Sequence, residues 1–232
     1  MIADAFAEDE DACVCWKKAG SGKYLELLRA KTADAIMVHA PAAEQKAVKE
    51  EWATGRVLIG ANEFFVVGPA NDPAGIQAAK SAPEAFQKIA AASARFFSRG
   101  DNSGTHKREM EIWERAGIVP GGDWYVMTGG FMTATLRRAN AEGGYFMTDS
   151  STWLMERNKL PNLKLLFRGD RMLVNVYHAL CQPEGRTSGA SVAADFVKFL
   201  GSQKAQQILR DYGKDKLGVG LYNDADYARQ YE

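Results

Sequence analysis

The residues best suited to bind a ligand lie in one short turn, residues 99–105. Phe96 and Phe97 precede it in an apolar run typical of a strand, and residues 107–113 follow with a pattern that suits a helix. The first amide protons of a helix have no partner within the helix and lie at the positive end of its dipole. A turn that leads from a strand into a helix therefore predicts a site for a small oxyanion.

The side chains of this turn are mostly hydrogen-bond donors. Arg99 supplies a permanent charge and a planar fork of N–H groups, and Ser103 and Thr105 supply hydroxyls. A fully deprotonated oxyanion can only accept hydrogen bonds, so its site needs donors and excludes carboxylates. We therefore expect Asp101 to orient Arg99 or to cap the helix. A surface salt bridge for Arg99 and simple helix capping for the two hydroxyls are the alternatives.

The charge balance of the chain excludes a general polyanion-binding surface. Lysine plus arginine and aspartate plus glutamate number 29 each, so the formal net charge is zero and no nucleic-acid partner is expected. The 232 residues, 46 % of them hydrophobic, suffice for one large domain or two lobes. No apolar run is long enough to span a bilayer, and the acidic residues 1–11 show no signal-peptide pattern.

The cysteines and histidines give only weak indications of metal binding, redox chemistry or hydrolysis. Cys13 and Cys15 lack the usual two-residue spacing of a metal or redox pair, and we expect core or edge thiols there and a buried Cys181. Ser103 and His106 could be read as nucleophile and base, but no nucleophile-elbow pattern surrounds them. We expect core or supporting roles rather than metal binding for the histidines, which are His39, His106 and His178. No enzymatic activity and no cofactor are therefore expected, and a phosphate- or sulfate-ester-handling enzyme is kept as an alternative.

Strands that alternate with helices predict an α/β fold with mixed sheets. Ser21 lies near the start of the first predicted helix, in a plausible N-cap position. The tail, residues 213–232, is predicted to be polar and irregular. Strands are predicted over residues 11–16, 33–39, 56–60, 62–68, 94–97, 124–126, 145–149, 163–167 and 173–181. Helices are predicted over residues 23–30, 42–52, 78–92, 105–116, 131–141, 153–155, 188–200 and 203–212.

A long stretch around the turn resembles a known motif. The segment is Phe97-Ser98-Arg99-Gly100-Asp101-Asn102-Ser103-Gly104-Thr105-His106-Lys107-Arg108-Glu109. It resembles the central motif of the tungstate-binding, substrate-capturing components of bacterial ABC importers. Shorter segments resemble the same family in the same order, and the resemblance runs from about residue 16 to 221. These segments are Val38-His39-Ala40-Pro41-Ala42-Ala43-Glu44, Phe65-Val66-Val67-Gly68-Pro69, Asp72-Pro73-Ala74-Gly75-Ile76, Ala116-Gly117-Ile118, Trp124-Tyr125, Thr148-Asp149 and Tyr177-His178.

The resemblance implies a two-lobed fold, the periplasmic binding protein fold of the second type, with the anion in a cleft between the lobes. One lobe would comprise residues 1–68 plus 176–232 and the other residues 69–175. Ser21 and Thr148 match family positions that face this cleft, and they join Arg99, Ser103 and Thr105 as expected anion-binding residues. Asp149, like Asp101, would repel a dianion, so a capping role is expected for it.

The function that the resemblance implies is capture of tungstate or molybdate for the membrane component of an ABC transporter. It also implies a location in the periplasm or another extracytoplasmic space. A monomer is expected. Family members begin with a strand and a turn rich in threonine and serine, and nothing in this sequence matches that unit. A diverged or truncated oxyanion-binding or sensor module is therefore an alternative. Tungstate, molybdate, sulfate and phosphate are not ranked by the sequence, because these tetrahedral ions differ little in size.

Overall fold

The computed structural model describes residues 1–10, 12–17 and 19–232. The helices are α1 (Ile2–Asp9), α2 (Ser21–Arg29), α3 (Pro41–Lys49), α4 (Ala82–Ala91), α5 (Gly104–Arg115), α6 (Met132–Glu142), α7 (Ser150–Glu156), α8 (Ala190–Leu200), α9 (Gln203–Asp211), α10 (Lys214–Leu217) and α11 (Ala225–Arg229). The strands are β1 (Ala35–Val38), β2 (Thr54–Pro69), β3 (Phe96–Ser98), β4 (Tyr125–Met127), β5 (Tyr145–Asp149), β6 (Leu163–Phe167), β7 (Val174–Cys181) and β8 (Asn223–Asp224). Within this described part, none of the helices has the length and apolar character needed to cross a membrane.

The chain forms two compact units. Unit 1 comprises residues 1–61 and 176–232, and unit 2 comprises residues 62–175. The lobe boundaries predicted from the sequence, 1–68 plus 176–232 and 69–175, stay a prediction.

Unit 1 is built on antiparallel strand pairs. Strand β1 pairs with β7, from Ala35 opposite Cys181 to Val38 opposite His178, and the short β8 pairs with β2. Helix α1 contributes Phe6, whose ring meets that of Phe196 on α8 edge-on at 5.1 Å between centroids. This core holds α1 and α8 against the strands, because burial of apolar surface is the main favourable term in folding.

Unit 2 positions the predicted anion turn. Its strands β4, β3 and β5 are parallel neighbours with β3 in the middle, and β2 pairs antiparallel with β5 and β6. Successive side chains of a strand point to opposite faces, so Phe96 packs with Phe86 and Trp113 while Phe97 belongs to the opposite core. Helices α4 and α5 therefore cover one face of the sheet, and α6 and α7 cover the other.

Two of the predicted strands are one continuous strand. The sequence predicted strands over residues 56–60 and 62–68, whereas β2 runs unbroken through Ala61 and Asn62. Neither residue starts a turn, and Ala61 keeps a ladder partner in Asn223. The predicted break between these two strands was therefore wrong. The strand continues because β8, in the distant C-terminal segment, pairs with it.

The two ends of the chain also differ from the prediction. Residues 12–16 form no strand, although Ala12 and Val14 pack against the core of unit 1, and residue 11 lies outside the described residues. The predicted irregular tail contains α10, β8 and α11. Asp224 caps α11 by accepting from the Tyr227 amide at 2.9 Å, and it pairs with Arg210 at 2.7 Å. These tertiary contacts stabilise short elements that carry no periodic apolar signal.

Candidate functional site

The candidate site lies at one edge of the parallel strands of unit 2. Phe97 of β3 pairs with Phe146 of β5, so Arg99 and Thr148, each two residues further on, come at the same edge of the sheet. The helix that follows β3 covers one face, and the helix that follows β5 covers the other. In open α/β sheets, the carboxyl end of two such neighbouring strands is the usual place for a ligand.

The turn after β3 depends on two residues in the left-handed backbone region. Gly100 has φ of 62°, and a Cβ placed there would lie 3.1 Å from the Cβ of Met127, so this position favours glycine. Asn102 has φ of 57°, which asparagine tolerates, and its amide donates to Nδ1 of His106 at 3.0 Å. The two residues bend the chain sharply enough to start α5 directly beside the end of β3.

The guanidinium of Arg99 is held in place and keeps a donor free. Nη2 lies 2.5 Å from Oδ2 of Asp101, whose Oδ1 accepts from the Ser103 amide at 3.1 Å. The side chain is 13 % exposed and forms this salt bridge within its own turn, so the prediction that Asp101 orients Arg99 is confirmed. An anion-binding role for Arg99, rather than a simple salt bridge, stays a prediction. Nε is buried and has no hydrogen-bond partner among the residues that the structure describes. An unsatisfied buried donor costs about 1–3 kcal/mol, more when it is charged, and an anion would remove that cost.

Asp101 stays ionised beside Arg99. Burial alone would raise the pKa of its carboxyl, but hydrogen bonds from Ser103 and Arg99 outweigh this effect and hold the pKa below its usual value. The carboxylate therefore balances the guanidinium charge at neutral pH. Attraction for an anion then rests on the free donors of the turn and on the start of α5 rather than on net charge.

Ser103 and Thr105 lie at the start of α5. Ser103 is the N-cap, and its Oγ accepts from the His106 amide at 3.3 Å. The Ser103 side chain also hydrogen-bonds the Asp101 carboxylate, so donation to an anion requires the hydroxyl proton to turn away from Asp101 while the oxygen keeps its capping bond. Thr105, in the first turn of α5, is 8 % exposed. The structure thus brings Arg99, Ser103 and Thr105 together in one turn.

Thr148 lies near this turn, at the end of the neighbouring strand. It is fully buried, and its Oγ1 donates to the Asp149 carbonyl at 3.3 Å. Asp149 is the N-cap of α7 and accepts from the Thr152 amide at 2.8 Å and the Thr152 hydroxyl at 2.7 Å, as well as from the hydroxyl of Ser151. The predicted capping role of Asp149 is confirmed.

Replacement of Asp149 by alanine is expected to lower the free energy of unfolding by about 1–2 kcal/mol, because three donors at the start of α7 lose their acceptor. Chemical denaturation without ligand measures this loss. Asp123→Ala, at an exposed position in the same unit, is the matched control and should change stability by less than about 0.5 kcal/mol. Equal stabilities of the two variants would contradict the capping role.

Ser21 belongs to unit 1, whereas Arg99, Ser103, Thr105 and Thr148 belong to unit 2. It is the first residue of α2, and the N-cap is Gly20, so the predicted N-cap position of Ser21 was wrong by one residue. Its Oγ accepts from the His39 amide at 3.3 Å, which ties the start of α2 to the segment after β1. A role of Ser21 in anion binding stays a prediction.

A buried polar network beneath the turn was missed by the sequence reasoning. Glu109 of α5 is 1 % exposed, and its Oε2 accepts from Ser98 Oγ at 2.9 Å. Its Oε1 accepts from the Tyr125 hydroxyl at 2.7 Å and from Nε1 of Trp113 at 3.2 Å. Ser98 Oγ also accepts from the Gly100 amide at 3.2 Å. The network links the middle of α5 to the first residues of the turn.

The sequence carried a signal for this network. Glu109 lies three and four residues before Ile112 and Trp113, on the stripe that faces the core. Burial raises the pKa of its carboxyl to about 7, against the hydrogen bonds from Tyr125, Ser98 and Trp113 and with a small addition from the charge of Asp101. A carboxyl on an apolar helix stripe is costly and marks a position with a specific role.

The loop after β4 fixes the turn from its other side. The amide and hydroxyl of Thr128 both donate to the Ser98 carbonyl, at 2.9 and 3.1 Å, and the Gly129 amide donates to the Arg99 carbonyl at 2.9 Å. These bonds continue the β3–β4 ladder past its last paired residues. They hold the backbone from which Arg99 projects.

The histidine and cysteine side chains that the structure describes occupy both buried and exposed positions. No group of three or more histidine, cysteine, aspartate or glutamate side chains there could hold a metal ion. His178 is buried between Glu44 and Glu232, so its predicted core role is confirmed. Cys181 is buried as predicted, but Cys13 and Cys15 are exposed, because the intervening Val14 takes the side that faces the core.

The fold matches that of known binding proteins. A family model described as a PBP superfamily domain matches residues 1–204. The structure is similar to the solved tungstate-binding protein TupA from Desulfovibrio alaskensis G20, with a TM-score of 0.86. The two share 35 % sequence identity over 96 % of this chain and 91 % of that chain. The protein thus has the type II periplasmic binding protein fold.

Proteins with similar sequences indicate to which family within this fold the chain belongs. The chain is 34 % identical over 209 residues to the tungstate-binding protein TupA of Peptoclostridium acidaminophilum, covering 88 % of this chain and 72 % of the relative. It is 37 % identical over 214 residues to a protein of Haloferax volcanii whose name describes it as an anion-binding protein of an ABC transporter. That match covers 89 % of this chain but only 62 % of the relative, less than two thirds of its length. The chain belongs to the family of tungstate-binding, substrate-binding proteins of ABC importers.

Proposed function

We propose that the protein binds a tetrahedral oxyanion of the tungstate or molybdate type and delivers it to the membrane component of an ABC importer. The observation that carries the proposal is the buried Nε of Arg99, a charged donor left without a partner in the described part of the chain. Arg99 lies at the carboxyl end of a parallel strand beside the start of α5. An oxyanion at that point would satisfy the guanidinium and accept from the hydroxyls of the turn.

The remaining parts of the proposal come from the family. Delivery to a transporter follows the name of one relative, which describes an anion-binding protein of an ABC transporter. An extracytoplasmic location is proposed from the resemblance alone, and a monomeric state is proposed with it. Thr148, and Ser21 from unit 1, are proposed as further donors to the anion. The choice between tungstate and molybdate is part of the proposal, with tungstate favoured because two of the relatives are tungstate-binding proteins.

Thermal unfolding with and without sodium tungstate tests the proposal. A ligand that binds only the folded state and is present at about 1,000 times its dissociation constant stabilises the protein by about 4 kcal/mol. For a chain of this size we expect the midpoint to rise by roughly 10 °C. Sodium chloride at equal ionic strength is the control, and an unchanged midpoint at millimolar tungstate would contradict the proposal.

Two substitutions separate binding from capping at the start of α5. Ser103→Ala removes both the N-cap acceptor and a proposed donor, so it should lower stability by about 1 kcal/mol and also weaken tungstate binding. Thr105→Val keeps the shape of the side chain and removes a hydroxyl that does not cap the helix. It should weaken binding by about tenfold and leave unliganded stability within about 0.5 kcal/mol of wild type. Calorimetric titration and denaturation measure the two effects, and full affinity in Thr105→Val would remove that residue from the site.

A further inference from the structure

Glu109 is a buried carboxyl on the helix that starts at the proposed site, and no salt bridge compensates it among the residues that the structure describes. In the described part of the chain its hydrogen-bond partners are the neutral groups of Ser98, Tyr125 and Trp113, and it forms no salt bridge. It lies on the same helix whose first turn carries Ser103 and Thr105. Through Ser98 Oγ, which also accepts from the Gly100 amide, it connects to the turn itself.

The charges near Glu109 make a second negative group unfavourable. Asp101, in the turn, is the charged group that acts on it, and Tyr125, from β4, is the other titratable group in contact. Tyr125 is itself kept protonated, because burial and the Glu109 charge raise its pKa. An ionised Glu109 would therefore leave two carboxylates close to an incoming dianion. Like charges repel strongly where water is excluded, so the dianion and the ionised carboxyl disfavour each other.

The hydrogen bonds around Glu109 accommodate either protonation state without movement of a heavy atom. Oε1 accepts from Tyr125 and Trp113 in both states. Oε2 accepts from Ser98 when the carboxyl is ionised, and it can donate to Ser98 Oγ at the same 2.9 Å when it is protonated. In the protonated state the hydroxyl proton of Ser98 no longer points at Glu109. It then becomes a further donor for the turn.

We propose that Glu109 is a positioning residue that couples binding of the anion to uptake of one proton from solvent; this rests on the function proposed for the turn. The free protein exchanges that proton near neutral pH, where tungstate is a dianion. Binding of the dianion converts the carboxylate to the carboxylic acid, with the proton on Oε2 and the Ser98 hydroxyl released towards the turn. Linkage then requires that affinity falls as the pH rises and Glu109 ionises.

Calorimetric titration with sodium tungstate between pH 6 and 8.5, in buffers of different ionisation enthalpy, tests the coupling. For the wild type we expect the dissociation constant to rise about tenfold over this range, and roughly half a proton to be taken up per anion at pH 7.5. Glu109→Gln places an amide in the same network, with its oxygen towards Tyr125 and Trp113 and its NH₂ towards Ser98. This variant should bind tungstate with neither proton uptake nor a pH-dependent affinity.

His106→Asn is the matched control, because His106 lies in the first turn of the same helix and its ring contacts the turn through the Asn102 amide. It should keep the proton uptake, whereas loss of the uptake in His106→Asn and its persistence in Glu109→Gln would overturn the proposal. A uniform loss of affinity in Glu109→Gln with an unchanged pH profile would show a merely structural role and would also overturn it.

Tyr125→Phe keeps the proposal testable if Glu109→Gln fails to fold. It removes a hydrogen bond that favours the carboxylate, so the fall in affinity should move to higher pH. An unmoved profile in Tyr125→Phe would count against Glu109. Wild type that binds tungstate equally at every pH defeats this inference alone, whereas wild type that binds no tungstate at any pH defeats the proposed function.

Discussion

Replacement of Arg99 by alanine is expected to weaken tungstate binding by at least about 100-fold. Hydrogen bonds between ionised partners contribute about 1.5–3 kcal/mol each, and the guanidinium presents at least one buried N–H that has no partner in the described structure. The change also removes the only positive charge of the turn, residues 99–105, while Asp101 remains. Titration calorimetry at low micromolar protein measures the loss.

Two matched variants show whether this effect is specific. Arg99→Lys keeps the charge but loses the planar fork, so most of the loss should persist. Arg95→Ala removes an exposed arginine just before the same strand, one that pairs with Glu142 at 3.4 Å, and should bind tungstate as the wild type does. Equal affinities of Arg99→Ala and Arg95→Ala would contradict the assignment of Arg99.

Glu109→Gln is expected to become more stable than the wild type, by up to about 3 kcal/mol, as the pH rises from 4.5 to 7. Burial raises the pKa of Glu109 from 4.5 to about 7 in the folded protein. The folded state therefore holds this proton more tightly than the unfolded state does. The stability that the protonated carboxyl gives the wild type is complete below pH 4.5 and is lost progressively up to about pH 7, at about 1.4 kcal/mol per pH unit.

Urea denaturation of the unliganded proteins at a series of pH values measures this difference. The free energy of unfolding of Glu109→Gln relative to wild type should rise between pH 4.5 and 7 and then level off. Glu111→Gln, an exposed position on the same helix, should follow the wild type throughout. If the free energies of unfolding of Glu109→Gln and wild type changed with pH in the same way, the carboxyl would ionise in the folded protein without cost. Its proposed coupling to the anion would then have no basis.

The strand, turn and helix start around residues 99–105 could be predicted from the sequence because their determinants are local. An apolar run, residues that tolerate a left-handed backbone and a helix start follow one another within a dozen positions. The pairing of Asp101 with Arg99 and the capping by Asp149 follow from the same short-range logic. The structure confirms both, and it confirms the α/β class with mixed sheets.

The buried network of Glu109 and the continuity of β2 could not be predicted, because both depend on residues far apart in the chain. Ser98 and Tyr125 meet Glu109 only because β3 and β4 pair in parallel with α5 on their face. Strand β2 continues past Ala61 because β8, more than 160 positions later, pairs with it. Periodicity reports which face of an element is apolar, but it does not report which distant segment covers that face.

The most direct test of the central claim is a crystal structure of the protein with bound tungstate, in which anomalous scattering locates the tungsten. We expect one tungsten peak beside the turn, with a tungstate oxygen within hydrogen-bonding distance of Nε of Arg99 and others near the hydroxyls of Ser103 and Thr105. Tungsten bound elsewhere, with Nε of Arg99 still lacking an acceptor, would contradict it.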